Sequence, residues 1–242
     1  MNNKLTMALL IGALMTSFTA QSALTLSATR YVYTSDAKAI PITVTNHADT
    51  VYGAQVWIED FSDDGLIPFS VSPGVFTLKA DKGTQTVQVA QLGEETKALP
   101  QDRESLFSVN LQEIPPKAKD TLGKNVLVMA SRTLVKLFYR PASLNDGRDQ
   151  AEQSMRISKT RDMVTFNNPT PYYFAVVSIN GDEKLANESF NQMAPFSQVS
   201  VEIKGMTSNT VSFNAIDDFG GLREYRCDLK KQENQCQYVK TK

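Results

Sequence analysis

After its first two dozen residues, this chain is a succession of short β-prone runs separated by turn chemistry, with no convincing long amphipathic helix. Leu24 to Tyr33, Ala39 to Thr45, Ala54 to Phe61 and Thr84 to Ala90 are rich in β-branched and aromatic residues. Several alternate: Ile42 and Val44 flank Thr43, and Val87 and Val89 flank Gln88. That is the period of a half-buried strand. Between the runs lie Ser62-Asp63-Asp64-Gly65, Ser72-Pro73-Gly74 and Asp81-Lys82-Gly83, residue types that suit tight turns. Short strands at such spacing imply an all-β sandwich or barrel.

The strand pattern comes in two blocks. Pro100 to Phe107 leads through Val109 and Leu111 to Ile114-Pro115-Pro116, and a long β-prone run follows from Asn125 to Tyr139. From Val126 to Tyr139 only Ser131, Arg132, Thr133 and Lys136 interrupt apolar character. Residues 142–150 are polar with almost no β character and read as a link. The pattern then resumes at Met155 to Ser158, Met163 to Asn167, Tyr172 to Ile179, Val199 to Ile203, Thr210 to Ala215 and Leu222 to Leu229. The expected layout is a first domain over 23–141, a link over 142–150 and a second domain over 151–242. Each domain, of roughly 100 residues, fits an immunoglobulin-like sandwich and can bury its own core.

Residues 1–22 read as a secretory signal. Lys4 gives an early positive charge, Leu5 to Met15 is apolar except for Thr6 and Gly12, and Ala20-Gln21-Ser22 offers small residues for cleavage after Ser22, or after Ala23. The run is shorter than the ~18 to 20 apolar residues of a membrane span, so membrane insertion is not expected. Cleavage would remove Lys4 and no other charge, moving the formal balance from −1 to −2. Basic residues are dispersed, which argues against a nucleic-acid or polybasic membrane partner. In an oxidising compartment Cys227 and Cys236 read as a structural disulfide rather than a zinc or Cys-x-x-Cys redox site.

Enzyme chemistry finds little support. His47 is the single histidine, within a polar turn. No nucleophile elbow or phosphate loop is present, and Asp63-Asp64 and Asp217-Asp218 are turn-like neighbours rather than an acid–base pair. No catalytic residue, metal ligand or cofactor is expected. Asn187-Glu188-Ser189 matches a glycosylation sequon that is common by chance.

Several motifs in order carry a resemblance. They are Thr29-Arg30-Tyr31-Val32-Tyr33, Pro100 to Phe107, Glu113-Ile114-Pro115-Pro116 and Val135-Lys136-Leu137-Phe138-Tyr139-Arg140-Pro141. The second block adds Asn168-Pro169-Thr170-Pro171-Tyr172-Tyr173 and Ile216-Asp217-Asp218-Phe219-Gly220-Gly221. Over nearly the whole mature length the chain resembles the PapD-like periplasmic pilus-assembly chaperones of the chaperone–usher pathway. The resemblance implies two immunoglobulin-like β-sandwiches set as a boomerang. It implies pilus or fimbrial subunits as clients, an outer-membrane usher as the second partner, and the periplasm as location. The client lacks its last strand, and the chaperone lends an edge strand, here Asn125 to Tyr139. The short stretch from Pro116 to Asn125, and the lack of a cysteine pair around the strand, place it nearest the family's short-loop branch. An alternative is a two-domain exported adhesin or structural surface protein, though the layout of a pilus subunit does not match.

The same resemblance implies site residues. Arg30 and Lys136 would grip the client's terminal carboxylate, which needs charge-assisted donors on leaving water. In isolation they read as ordinary solvated cations at strand ends. Pinning the chain end would also set register, since a one-residue slip turns every side chain to the wrong face. Leu127, Met129 and Ser131 would form the donor face, with Ser131 departing from the apolar residue the pattern expects. Val126, Val128 and Ala130 would then face the core. Glu104, Arg140 and Asp218 match an interdomain charge cluster. Ser72-Pro73-Gly74 carries one proline where many relatives have two, and the isomer of that bond is open at this stage.

Overall fold

The computed structural model describes residues 22–61, 65, 67–117, 127–232 and 235–240. The signal segment up to residue 21, most of the Ser62 to Gly65 turn, and the Pro116 to Asn125 stretch from residue 118 onward, with Val126, lie outside the described residues.

Strands come in chain order as β1 (Leu24–Leu26), β2 (Arg30–Thr34), β3 (Ala39–Asn46), β4 (Tyr52–Asp60), β5 (Phe69–Ser72), β6 (Val75–Leu78), β7 (Thr84–Gln91), β8 (Ser105–Ile114) and β9 (Arg132–Arg140). The second block adds β10 (Arg156–Thr160), β11 (Met163–Asn167), β12 (Val176–Ile179), β13 (Gln198–Glu202), β14 (Thr210–Ile216), β15 (Leu222–Asp228) and β16 (Cys236–Val239). Two short helices interrupt them, α1 (Gly93–Lys97) and α2 (Glu188–Asn191). Two sheets face each other in each block: β2-β9-β8-β4-β6 over β1-β3-β7-β5, and β12-β14-β15-β16 over β10-β11-β13.

Each sandwich has its own core. The first collects Leu24, Tyr33, Ile42, Val44, Val109 and Leu137; the second collects Ile157, Val164, Phe174, Val211 and Phe213. Aromatic rings fasten both. Tyr33 and Phe107 each sit 5.1 Å from Phe69, and Phe213 stacks 5.1 Å from Tyr225. Such pairs add to the gain from area burial by fixing geometry. Cys227 and Cys236 are register partners across β15 and β16 and are disulfide-bonded. The Ser72-Pro73 bond is cis.

The stretch expected as one strand from Leu24 to Tyr33 divides between sheets. β1 pairs with β3, whereas β2 pairs in parallel with β9. Residues 27–29 carry the crossing. Because β2 begins only at Arg30, it covers β9 from Lys136 onward. Residues 132–135 are therefore paired on the β8 side alone among the described residues.

The long run from Asn125 to Tyr139 is likewise shorter as a strand than expected. β9 begins at Arg132, and residues 127–131 lack strand pairing. The cause is on the neighbouring strand: β8 ends at Ile114, and Pro115 and Pro116 have no N–H to continue the ladder. The expectation that Val128 and Ala130 face the core fails for the same reason. Val128 is 58% exposed and Ala130 is exposed, since no sheet lies behind them.

Residues 142–150 are not a plain link. Ala142–Gly147 forms a 3-10 turn, Leu144 packs against the second core, and Tyr172 Oη donates to its carbonyl at 2.6 Å.

Candidate functional site

Alternation along β2 and β9 decides which side chains leave the core. Tyr31, Tyr33, Leu137 and Tyr139 belong to the first core. Arg30, Val32, Thr34 and Lys136, Phe138, Arg140 consequently point the other way, toward the second sandwich. In the parallel register Arg30 pairs with Lys136, Val32 with Phe138 and Thr34 with Arg140. Two residues distant in sequence thus become adjacent cations on one face.

Arg30, Lys136, Phe138 and Arg140 each meet the second sandwich. Arg30 is buried, and its Nη1 donates to the Ile216 carbonyl at 2.8 Å, while its Nε is buried without a hydrogen-bond partner. Lys136 Nζ donates to the Asn191 side-chain Oδ1 at 2.9 Å and to the Asn191 main-chain oxygen. Phe138 packs on Tyr173 with ring centroids 6.1 Å apart. Neither Arg30 nor Lys136 has a carboxylate within ion-pair distance among the described residues. Burial draws the Lys136 amine down to about 8, helped by the neighbouring Arg30 charge and opposed by Glu188. Burial also lowers the Arg30 guanidinium, against the pull of Asp218. The pair is a desolvated double positive charge held by neutral oxygens, with Arg30 Nε left unpartnered.

The structure also brings Glu104, Arg140 and Asp218 together. Arg140 Nε donates to Glu104 Oε1 at 2.7 Å, and its Nη2 lies 2.8 Å from Asp218 Oδ2. Glu104 Oε2 accepts from the Tyr173 N–H at 2.7 Å. Two members escaped the sequence reading. Arg148 reaches Asp218 at 3.2 Å and forks onto Glu152 at 2.9 and 3.1 Å. Tyr225 Oη in turn lies 3.2 Å from Glu152. Arg140 Nη2 and Arg148 Nε are within ion-pair range of Asp218 but out of line for hydrogen bonds. Burial works against the charge on Arg148, but Glu152, Asp218 and Glu104 outweigh it and hold the guanidinium up. Burial raises Glu104, against Arg140. The i,i+4 spacing of Arg148 and Glu152 was the signal available in sequence.

The expected donor residues lie upstream of this face. Leu127 and Met129 are 85% and 76% exposed. Ser131 is held at the edge of β8. Its carbonyl accepts from the Glu113 N–H at 3.0 Å, and its own N–H reaches the Glu113 carboxylate at 3.4 Å. That carboxylate also accepts from the Leu24 N–H at 2.8 Å; burial would raise it, but these bonds outweigh burial and keep it low. His47 is bonded through Nε2 to Thr25 Oγ1 at 2.9 Å, away from this face. Among the described residues no group of His, Cys, Asp or Glu is placed to hold a metal ion, and no helix is long and apolar enough to cross a membrane.

An unpaired strand edge ending at a buried and a half-buried cation can take an extended chain that terminates in a carboxylate. Two family models match. "Pili and flagellar-assembly chaperone, PapD N-terminal domain" covers residues 23–145, and "Pili assembly chaperone PapD, C-terminal domain" covers residues 150–227. The Escherichia coli chaperone protein FanE is 37% identical over 218 residues, 88% of this chain and 93% of its own. The Escherichia coli chaperone protein PapD is 33% identical over 226 residues, 88% of this chain and 92% of its own. Among solved structures, the YadV chaperone superposes with a TM-score of 0.69 at 30% identity, covering 86% of this chain and 100% of that one.

Proposed function

The chain belongs to the PapD-like pilus-assembly chaperones, and from that premise we propose that it works in the periplasm, caps fimbrial subunits with its own edge strand, and passes them to an outer-membrane usher. The work is binding and strand exchange, which calls for no bond-making chemistry and no cofactor. On this reading the sandwiches 23–141 and 151–242 act as separate domains, joined through 142–150.

The observation that carries the reading is the Arg30–Lys136 register across β2 and β9. A client strand laid along the open edge of residues 132–135 lies in line with β2, with its end abutting Arg30. With its C-terminus at Lys136 and the rest extending toward Leu127, it runs parallel to β9. The buried, unpartnered Arg30 Nε and the Lys136 amine are then donors for the terminal carboxylate. Arg30 offers a planar fork and Lys136 a compact charge. Leu127 and Met129, already exposed, fill the client's open groove and contribute about 1.5 to 3 kcal/mol each before ordering costs. Ser131, fixed by Glu113, is the root from which that segment departs.

The test begins with co-purification from periplasm and mass spectrometry of bound proteins; recovery of a single-domain fimbrial subunit is expected. The C-terminal strand of that subunit, as a free-acid peptide and as its amide, then probes the anchor. Wild type should prefer the acid. Lys136→Ala should lose at least tenfold in affinity for it, because each charge-assisted bond contributes about 1.5 to 3 kcal/mol. Equal binding of acid and amide by wild type would remove the anchor from the mechanism.

A further inference from the structure

The partner of Lys136 is itself a residue with a role that the strand-capping reading leaves unassigned. Asn191 closes α2, on the second sandwich, and offers two oxygens to one ammonium: its side-chain Oδ1 at 2.9 Å and its main-chain carbonyl. The same two-oxygen arrangement is what a terminal carboxylate presents. Asn191 is exposed and is not part of the second core. Its contact with Lys136 therefore contributes little to packing and falls on the group that the client needs.

We propose that Asn191 is a built-in stand-in for the client's terminal carboxylate, holding Lys136 until a client displaces it. The inference rests on the anchor reading above and adds a residue that sets the strength and the order of client loading.

Charge decides why an amide serves. Arg30 and Lys136 are adjacent and desolvated, and among the described residues no acid neutralises either by an ion pair. Glu188, one helical turn before Asn191, acts on Lys136 only at longer range. Two neutral oxygens occupy Lys136 without cancelling its charge. A carboxylate makes the stronger bond and displaces them. An acid at position 191 would instead satisfy the pair permanently and close the site. The Arg30 half is poised in a similar way: one nitrogen is tied to the Ile216 carbonyl, and Nε has no partner.

The experiment uses the mature chaperone and the acid and amide forms of the recovered subunit's C-terminal peptide. Asn191→Ala removes one of the two competing oxygens, so the acid peptide should bind about two- to tenfold tighter, with amide binding unchanged. Asn191→Asp supplies the carboxylate in place, so acid-peptide binding should fall by at least tenfold and the Lys136 amine, followed by NMR titration, should shift upward. Melting temperatures show whether each variant folds, and Asn191→Asp decides alone should the alanine variant not fold. If wild type prefers the acid while both Asn191 variants keep the wild-type affinity and preference, the stand-in is wrong and the anchor stands. If both variants weaken acid and amide alike, Asn191 is a structural tie and the proposal fails. If wild type shows no preference for the acid, the anchor reading itself has failed.

Discussion

Lys136 concentrates most of the chemistry of this chain into one side chain. Its amine titrates at about 8, below the usual lysine range, because it is buried beside Arg30. Between about 8 and the unfolded value near 10.4, the unfolded chain binds more protons at this site, so the free chaperone gains stability there as pH rises. Below about 8 that contribution is absent, since the charged amine is the costly form in the fold. On the proposed anchor, client capture runs the other way, because a carboxylate contact needs the charge. Acid-peptide affinity should therefore decline as pH climbs through 8, and Lys136→Arg, with a cation that does not deprotonate in this range, should flatten the decline. Isothermal titration at stepped pH measures both; a profile that is flat for wild type would mean the charged amine does not carry the contact. Arg30 and Lys136 could be recognised in sequence because each sits inside a motif. Asn191 could not, since its partner lies 55 positions away and a lone asparagine in a polar stretch carries no period or pattern. Arg148 was hidden differently: the polar composition of 142–150 reads as linker, although here its charge is buried against that of Glu152.

At the level of elements, the function depends on where strands stop. β8 ends at two prolines, β2 starts late after the chain has crossed between sheets, and the two events together expose one edge of β9 and residues 127–131. The alternation of Ile42 and Val44, or of Val87 and Val89, was plain in sequence because one face of each strand is buried. Period alone could not show that Asn125 to Tyr139 divides at residue 132, because apolar residues left exposed look the same in sequence as apolar residues held for the core. β5, β6 and β16 were missed for a simpler reason: each spans four residues, too few for a period to register. The distinction has a test. Replacing Leu127 and Met129 together with Glu places charge where a client groove is apolar, which is costly to bury. Both positions are exposed in the chaperone itself, so circular dichroism and melting temperature should match wild type while subunits are no longer protected from aggregation. Loss of the fold in that variant would mean the segment packs against the chaperone itself.

Across the whole molecule, the two sandwiches meet through charges more than through a shared apolar core. Glu104 and Arg140 come from the first sandwich and Asp218 from the second, with Arg148 of the connecting segment and Glu152 just beyond it extending the chain of charges. Attraction within such a cluster is largely offset by desolvation, so a cluster of this kind is weak evidence for added stability. Breaking it is another matter. Arg140→Ala leaves the Glu104 carboxylate buried at 3% exposure, holding one main-chain bond from Tyr173 and no adjoining cation. The expected loss is about 3 to 5 kcal/mol, the range for orphaning one member of a buried ion pair. In a chain of this size that corresponds to a fall in melting temperature on the order of 10 °C. At Asp218 each guanidinium covers for the other, Arg140 at 2.8 Å and Arg148 at 3.2 Å, so either single loss costs little at that carboxylate and the double variant should be non-additive. Small-angle scattering supplies the second measurement: with Arg140 gone, the distribution of interdomain distances should broaden while each sandwich stays folded. Cys227 and Cys236 remain bonded within the second sandwich alone and take no part in this change. An unchanged melting temperature and an unchanged scattering curve for Arg140→Ala would mean that Phe138 on Tyr173, with Lys136 on Asn191, suffices to hold the two halves in place.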